Sequence, residues 1–380
     1  MAEINPGEGF ASGSDTYRPV FLRIGQKADK DLFDELVSTK NCTIFDTIDR
    51  QLMELIRIMN PSEKLDQHQV RLLTGKHLGN RAPDTYGVWV YYPWSGRMVH
   101  LLDEDEFIKV RTNRNVYKIT PEETALFRGK KIGIIGLSVG QTIAMTIATE
   151  RICGALHLAD YDDIELSNMN RLPVGVHELG MSKAILSARK IAELDPFISV
   201  TCFTEGVHAE NMDAFFTKNG PLDLLVEECD GFDIKILSRM KARELGIPVV
   251  MDTNDKGMLD IERFDLERER PLFHGGIPDL EKLDQQTLAA QLTQLTPADK
   301  IRYLGAIVGM DNLSDSMKRS LTEIGKTITG WPQLASAVTL GGAIVTEACR
   351  NIFLNRFNAS GKYFIDLEKI IVNPNGTNPA

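Results

Sequence analysis

Lys131-Ile132-Gly133-Ile134-Ile135-Gly136-Leu137-Ser138-Val139-Gly140-Gln141 reads as a short apolar strand that runs through a glycine-containing turn into a helix. A continuous apolar run of this length, stopped by glycine, suits a strand covered on both faces, as in a parallel sheet. Outward from it the same alternation repeats. The spacing predicts helices over 139–151, 181–194, 209–218 and 232–245, separated by strands over 155–159, 199–203, 222–226 and 248–251. Strands alternating with helices define an α/β fold with a doubly wound sheet, in which ligands sit outside the carboxyl ends of the strands.

Upstream, residues 29–38 and 45–59 carry apolar positions at helical spacing, and 88–102 reads as a hairpin around Pro93-Trp94-Ser95-Gly96. These predict a smaller α+β N-terminal domain over 1–125, leaving 126–380 for the sheet and a C-terminal extension. Trp89, Tyr91, Tyr92 and Trp94 are read as packing residues, not as a ligand-stacking surface. Past Met251, the polar helical stretch 280–295 is assigned as a lid and the small-residue apolar stretch 334–352 as a buried helix.

Among the 380 residues, 43% are hydrophobic and 25% charged, the mixture of a folded globular chain. A net charge of -10 argues against broad binding to nucleic acid, which needs clustered Lys and Arg. Residues 1–10 carry no apolar signal core and 334–345 is too short to cross a bilayer, so a cytoplasmic protein with no membrane partner is expected. Cys42, Cys153, Cys202, Cys229 and Cys349 form no C-x-x-C pair and are read as free thiols, with no structural zinc.

The chemistry is carried by strand ends. Gly136, Ser138 and Gly140 form the turn that lets backbone approach a nucleotide at a helix N-terminus. Asp160 and Asp162 close the second strand, where an acid accepts hydrogen bonds from ribose hydroxyls, and Arg171 and Lys183 follow with the charge that matches a triphosphate. After the fourth strand Asp230 offers a carboxylate of the kind Mg²⁺ takes alongside phosphate oxygens.

The run Asp160-Tyr161-Asp162-Asp163-Ile164-Glu165-Leu166-Ser167-Asn168-Met169-Asn170-Arg171, with Lys183 and Glu228-Cys229-Asp230-Gly231-Phe232-Asp233, resembles the nucleotide site of the ThiF/MoeB/ubiquitin-activating-enzyme superfamily. The resemblance covers roughly 129–264. It implies a Rossmann-like mixed sheet, ATP and Mg²⁺ as cofactors, Asp160 on the ribose, Asn168 and Arg171 on the phosphates, Lys183 near the α-phosphate and Asp230 on the metal. It also implies a homodimer in which an arginine ahead of the first strand reaches the partner's ATP site, with Arg111 and Arg114 as candidates by position. Ser138, Val139 and Gln141 stand where the family has small residues, which predicts a more crowded turn, and Gly231 replaces the usual Asn. The segments Trp331-Pro332-Gln333-Leu334-Ala335-Ser336 and Tyr363-Phe364-Ile365-Asp366-Leu367 resemble a bacterial subgroup of ThiF-like proteins, some fused to nitroreductase-like domains, a module not expected in this chain.

The implied activity is adenylation of a substrate carboxylate, at the C-terminus of a ubiquitin-like protein, on a short peptide or on a small acid. No cysteine lies between Gly231 and Ala348, so no thioester intermediate is expected there. Two alternatives remain at this stage: a non-catalytic nucleotide-binding regulator, and an NAD-dependent oxidoreductase, which leaves Asn168, Arg171 and Lys183 without a role.

Overall fold

The computed structural model describes residues 15–38, 41–283 and 285–372. They form two compact units, one made of the described part of residues 1–125 with Ala188–Ile198, the other of Leu126–Ser187 with the described part of 199–380.

In the first unit the elements are β1 (Val20–Leu22), α1 (Lys27–Ser38), β2 (Thr43–Asp46), α2 (Ile48–Met59), α3 (Gln67–Leu78), β3 (Val88–Tyr92), β4 (Arg97–Leu101) and α4 (Glu104–Arg111). The sheet order is β1-β3-β4-β2, with β3 and β4 the antiparallel hairpin and β2 parallel to β4. That pairing corrects the reading of 45–59 as one helix: Phe45 opposes Val99 in the sheet, and the helix starts only at Ile48. α2 lays Ile48, Leu52 and Leu55 against Tyr86 and Leu102. Trp89 stacks on the buried His100 with ring centroids 4.1 Å apart, and the Tyr92 hydroxyl donates to the Ala192 carbonyl at 3.2 Å. Ala192 and Phe197 pack on Val88, Val90 and Tyr92, which is why a stretch from the middle of the α/β sequence belongs to this unit.

The second unit opens at the end of α5 (Pro121–Arg128) and continues through β5 (Lys131–Ile135), α6 (Gly140–Glu150), β6 (Ala155–Ala159), α7 (Lys183–Leu194, ending in the first unit), β7 (Ser199–Phe203), α8 (Met212–Thr217), β8 (Leu224–Glu227), α9 (Phe232–Leu245), β9 (Val249–Asp252) and β10 (Met258–Glu262). It closes with α10 (Pro278–Glu281), α11 (Gln285–Thr293), α12 (Pro297–Val308), α13 (Asp315–Leu321), α14 (Ala335–Phe353), β11 (Gly361–Phe364) and α15 (Leu367–Ile370). The strand order β11-β10-β9-β8-β5-β6-β7 is parallel from β9 to β7, while β10 and β11 run antiparallel at one end. This is the mixed, doubly wound α/β sheet of the Rossmann-like class. From β5 the chain winds one way to β6 and β7 and the other way to β8 and β9, so the switch point lies between β5 and β8.

Two stretches beyond β9 differ in outcome. The apolar segment is helix α14, whose Gly341 and Gly342 sit at close approaches: a Cβ on Gly342 would lie 3.0 Å from Thr142 of α6. The predicted lid is instead a packed element, because Leu280, Leu288 and Leu292 are buried in the same core as Phe232 and Ile236 of α9. Its polar composition concealed those three leucines.

A charged network is sealed beneath this half of the sheet. Arg239 of α9 is fully buried, with Nε 3.4 Å from Glu227 Oε2, Nη1 3.1 Å from Asp260 Oδ1 and a further ion pair to Glu262. Lys235 Nζ donates to Glu227 at 2.7 and 3.0 Å, and His274 Nε2 lies 2.9 Å from Asp260 Oδ2. Burial works against a charge on Arg239, yet the three carboxylates outweigh it and raise its pKa. Removing one member of such a network leaves the others buried without compensation, a cost of ~3–5 kcal/mol. Arg239→Met is therefore expected to lose about that much stability in urea denaturation; a loss under about 1 kcal/mol would show that the carboxylates do not depend on it.

Candidate functional site

The carboxyl ends of β5, β6 and β8 bring the polar residues together. Gly136 follows β5 directly with φ +87°, and a Cβ there would lie 2.6 Å from the Glu228 carbonyl oxygen, so only glycine fits where the two strands converge. Gly140 is held as closely, since its Cβ would meet Ile134 at 2.8 Å. Asp160, only 8% exposed, accepts the Leu137 amide on Oδ2 at 2.6 Å and the Asp162 amide on Oδ1 at 2.8 Å. Burial raises its pKa, and the Lys183 charge opposes that rise. Each carboxylate oxygen keeps a second acceptor site, so the acid that ties the turn to β6 still has capacity for a hydroxyl.

Lys183, at the first position of α7, donates to Asp162 Oδ2 at 2.7 Å. Arg171 donates to Ser138 Oγ from Nε at 3.2 Å and from Nη2 at 2.8 Å, and to Asn170 Oδ1 from Nη1 at 2.9 Å. Burial lowers the Arg171 pKa, and the nearby Asp230 charge works the other way. Asp230 is exposed and shares the lining of one cavity with Ser138 and Val139. Asn168 turns inward: its Oδ1 accepts the Glu165 amide at 3.0 Å and caps its own turn. Arg114 is exposed on a single helical turn in the first unit, Asn113–Asn115, while Arg111 pairs with the buried Asp195 at 3.5 Å.

Of the three residues that replace small ones in the turn, Ser138 and Val139 line the cavity and Gln141 does not. Gln141 is fully buried and donates to Ser187 Oγ at 3.2 Å, away from the crevice, and Ser138 serves as the acceptor that orients Arg171. Cys229 is not an activated nucleophile: its Sγ donates to Glu227 Oε1 at 3.1 Å, and burial, then Glu227, pushes the thiol well up.

Other residues of the cavity escaped sequence reasoning. Its volume is about 190 Å³, and its floor continues from Glu228 and Asp230 to Asp252, Thr253 and Asn254 at the end of β9. The Asp252 amide donates to Glu228 Oε1 at 2.8 Å, so the two carboxyls are neighbours. Burial, then the Asp252 charge, pushes Glu228 well above the carboxylate range, and burial pushes Asp252 up to about 7. The signal was present in Val249-Val250-Met251-Asp252-Thr253-Asn254-Asp255, an apolar run ending in a polar burst like the one at Asp160. Above this floor stand α12, α13 and the Trp331–Pro332–Gln333 segment, tied to the Arg171 turn by the Asn170 Nδ2 donation to the Gln333 carbonyl at 2.8 Å.

A crevice at the switch point of a doubly wound sheet, with acids and cations from three strand ends, defines a nucleotide-site class of α/β domain. The chain matches the model of the ThiF family over residues 111–258. It is similar to an uncharacterized protein of Mycobacterium tuberculosis, 43% identical over 279 residues, covering 73% of this chain and 38% of that protein. It is also similar to ubiquitin-like modifier-activating enzyme 5 of Drosophila mojavensis, 30% identical over 118 residues, covering 29% of this chain and 30% of that one. The chain thus spans well under half the length of these relatives. Among solved structures, E. coli tRNA N6-threonylcarbamoyladenosine dehydratase, TcdA, matches with a TM-score of 0.45 and 18% identity, covering 67% of this chain and 98% of that one.

The Asp252 carboxyl has a consequence for pH. A proton kept in the fold up to about 7, against the ordinary 3.8, is bound more tightly by the native than by the unfolded chain. Stability is therefore lost as pH rises through that window, at up to about 1.4 kcal/mol per pH unit. Asp252→Asn is expected to flatten the fall in stability between pH 4 and 7 measured by urea denaturation; an unchanged slope would assign the fall elsewhere.

Proposed function

We propose that the chain binds ATP with Mg²⁺ across the crevice between β5 and β8 and transfers AMP to a substrate carboxylate. The observation carrying this reading is the single cluster that links Asp160, Lys183 through Asp162, Arg171 through Ser138, and Asp230 around the β5 turn. A carboxylate oxygen attacks the α-phosphorus, the bond from that phosphorus to the bridging oxygen breaks, and pyrophosphate leaves as the acyl-adenylate forms. Asp160 holds the ribose hydroxyls with its remaining acceptor sites, and Lys183 and Arg171 offset the negative charge that builds on the phosphoryl oxygens. Ser138, by accepting both Arg171 donors, fixes the guanidinium in place before the substrate arrives.

Mg²⁺ is usually held by one or two protein carboxylates plus phosphate oxygens, so a single carboxylate beside the phosphates is enough to place it. Asp230 is the carboxylate that would hold it; bound there, the ion would neutralise phosphate charge. The substrate is a carboxylate of a ubiquitin-like C-terminus, a peptide or a small acid. Arg114 serves the ATP site of a second copy in a homodimer. Among the described residues no helix is long and apolar enough to cross a membrane.

Arg171→Ala is expected to slow ATP–pyrophosphate exchange by roughly 10²–10³-fold, the cost of removing one transition-state donor. Exchange that survives this change intact would take Arg171 out of the reaction. Thermal-shift titration with ATP and Mg²⁺ against NAD checks the nucleotide itself, and stabilisation by NAD alone would replace this reading with an oxidoreductase.

A further inference from the structure

The connection from α13 to α14 is held unevenly. Its first half closes on itself, because the Gly325 amide donates to the Ile328 carbonyl at 2.8 Å and Ile324 bridges Ile328. Its second half, residues 329–333, does not. Among the described residues this stretch makes one hydrogen bond, the Asn170 Nδ2 donation to the Gln333 carbonyl at 2.8 Å. Trp331 and Pro332 are exposed even as they line the cavity shared by Ser138 and Asp230, so burial does not fix the stretch either. One amide pins this strap.

That amide has a second commitment. Asn170 Oδ1 accepts Arg171 Nη1 at 2.9 Å, and only this orientation of the carboxamide satisfies both neighbours, a carbonyl that accepts and a guanidinium that donates. Arg171 in turn commits four of its five N–H groups within the protein: Nε and Nη2 give one each to Ser138, and Nη1 gives one to Asn170 and one to the Ser167 carbonyl at 3.3 Å. A single N–H is left. A phosphate gripped by two parallel N–H bonds must therefore displace a partner, and a charged oxygen binds a guanidinium more strongly than a neutral amide does. With Ser138 holding the Nε side, displacement falls on Nη1. The Ser167 carbonyl is backbone of a capped turn, so the Asn170 side chain is the acceptor that yields.

We propose that Asn170 is the positioning residue of a nucleotide-released latch. Before nucleotide binds, it pins the strap 329–333 to Arg171; ATP draws the Arg171 Nη1 hydrogen to a phosphate oxygen, frees the Asn170 amide and releases the strap, opening the cavity to the carboxylate substrate. The inference rests on the reading of the crevice as an ATP site. It adds an order, ATP before acid.

Nicking of the whole chain by subtilisin, with the cut sites read by mass spectrometry, measures how often the strap opens, since cleavage tracks the population of the open form. ATP with Mg²⁺ is expected to speed cleavage within 329–333 by roughly 2–10-fold, the bias that one hydrogen bond gives, while raising the melting temperature. Asn170→Ala and Asn170→Asp both lack the donor to Gln333 and are expected to be cut at the released rate with or without ATP. The two variants part on ATP affinity. Alanine removes the competitor for Arg171 and is expected to lower the Kd for ATP by roughly 2–10-fold, whereas aspartate holds the guanidinium harder and is expected to raise it. A merely structural role would weaken ATP binding in both.

If ATP raises the melting temperature of the wild-type chain but leaves cleavage of the strap unchanged or slows it, the latch falls and the nucleotide reading stands. If ATP with Mg²⁺ leaves the melting temperature unmoved, both fall. If the Asn170 variants do not fold, wild-type cleavage with and without ATP decides the matter.

Discussion

The approach of β5 to β8 at Gly136 is the constraint on which the site depends. With no room for a Cβ against the Glu228 carbonyl, the two strand ends converge at the point where the winding of the sheet reverses. That convergence sets Ser138 and Asp230 around one cavity, and the Asp160 carboxylate holds the turn from its other side through the Leu137 amide. Backbone geometry, not side-chain chemistry, comes first here. The acids and cations take their places because the chain beneath them has one way to close.

Consecutive residues at the end of β8, Glu227 and Glu228, then serve opposite sides. Glu227 points into the sealed network of Lys235 and Arg239, while Glu228 turns to Asp252 and the cavity, as the two-residue alternation of a strand demands. The wall of the cleft is anchored from behind by ion pairs that solvent does not reach. Such an anchor is rigid without adding much net stability, because the desolvation of its charges consumes most of their attraction.

Periodicity made the parallel strands legible: β5 and β6 occupy largely apolar runs that end at Gly136 and Asp160, as strands covered on both faces do, while the edge strand β7, Ser199–Phe203, alternates. Asp160 was legible because it follows a recognisable strand end, and Arg171 and Lys183 because they follow it in a motif of fixed order. What depended on distant partners was not. Thr43–Asp46 becomes a strand only because Arg97–Leu101 is there to pair with it, and the leucines of 280–292 look polar in company until Phe232 and Ile236 are placed beneath them. The Arg239 network joins residues from α9, β8 and β10, and no local pattern announces that a surface-type residue will have no surface.

One feature of the sheet bears on how the chain is made. β10 ends at Glu262 and its outer neighbour β11 begins only at Gly361, so at synthesis rates of roughly 5–20 residues per second the strand emerges from the ribosome on the order of 5–20 s before its partner. For that interval β10 is an open edge, the arrangement most prone to capture by another nascent chain. Asp260 and Glu262, both directed inward, give that edge two charges that a foreign strand has no means to neutralise. Arg239, made before β10, is at hand to gather these acids, so the inward-facing charges are part of the edge from the time the strand emerges until its last neighbour arrives.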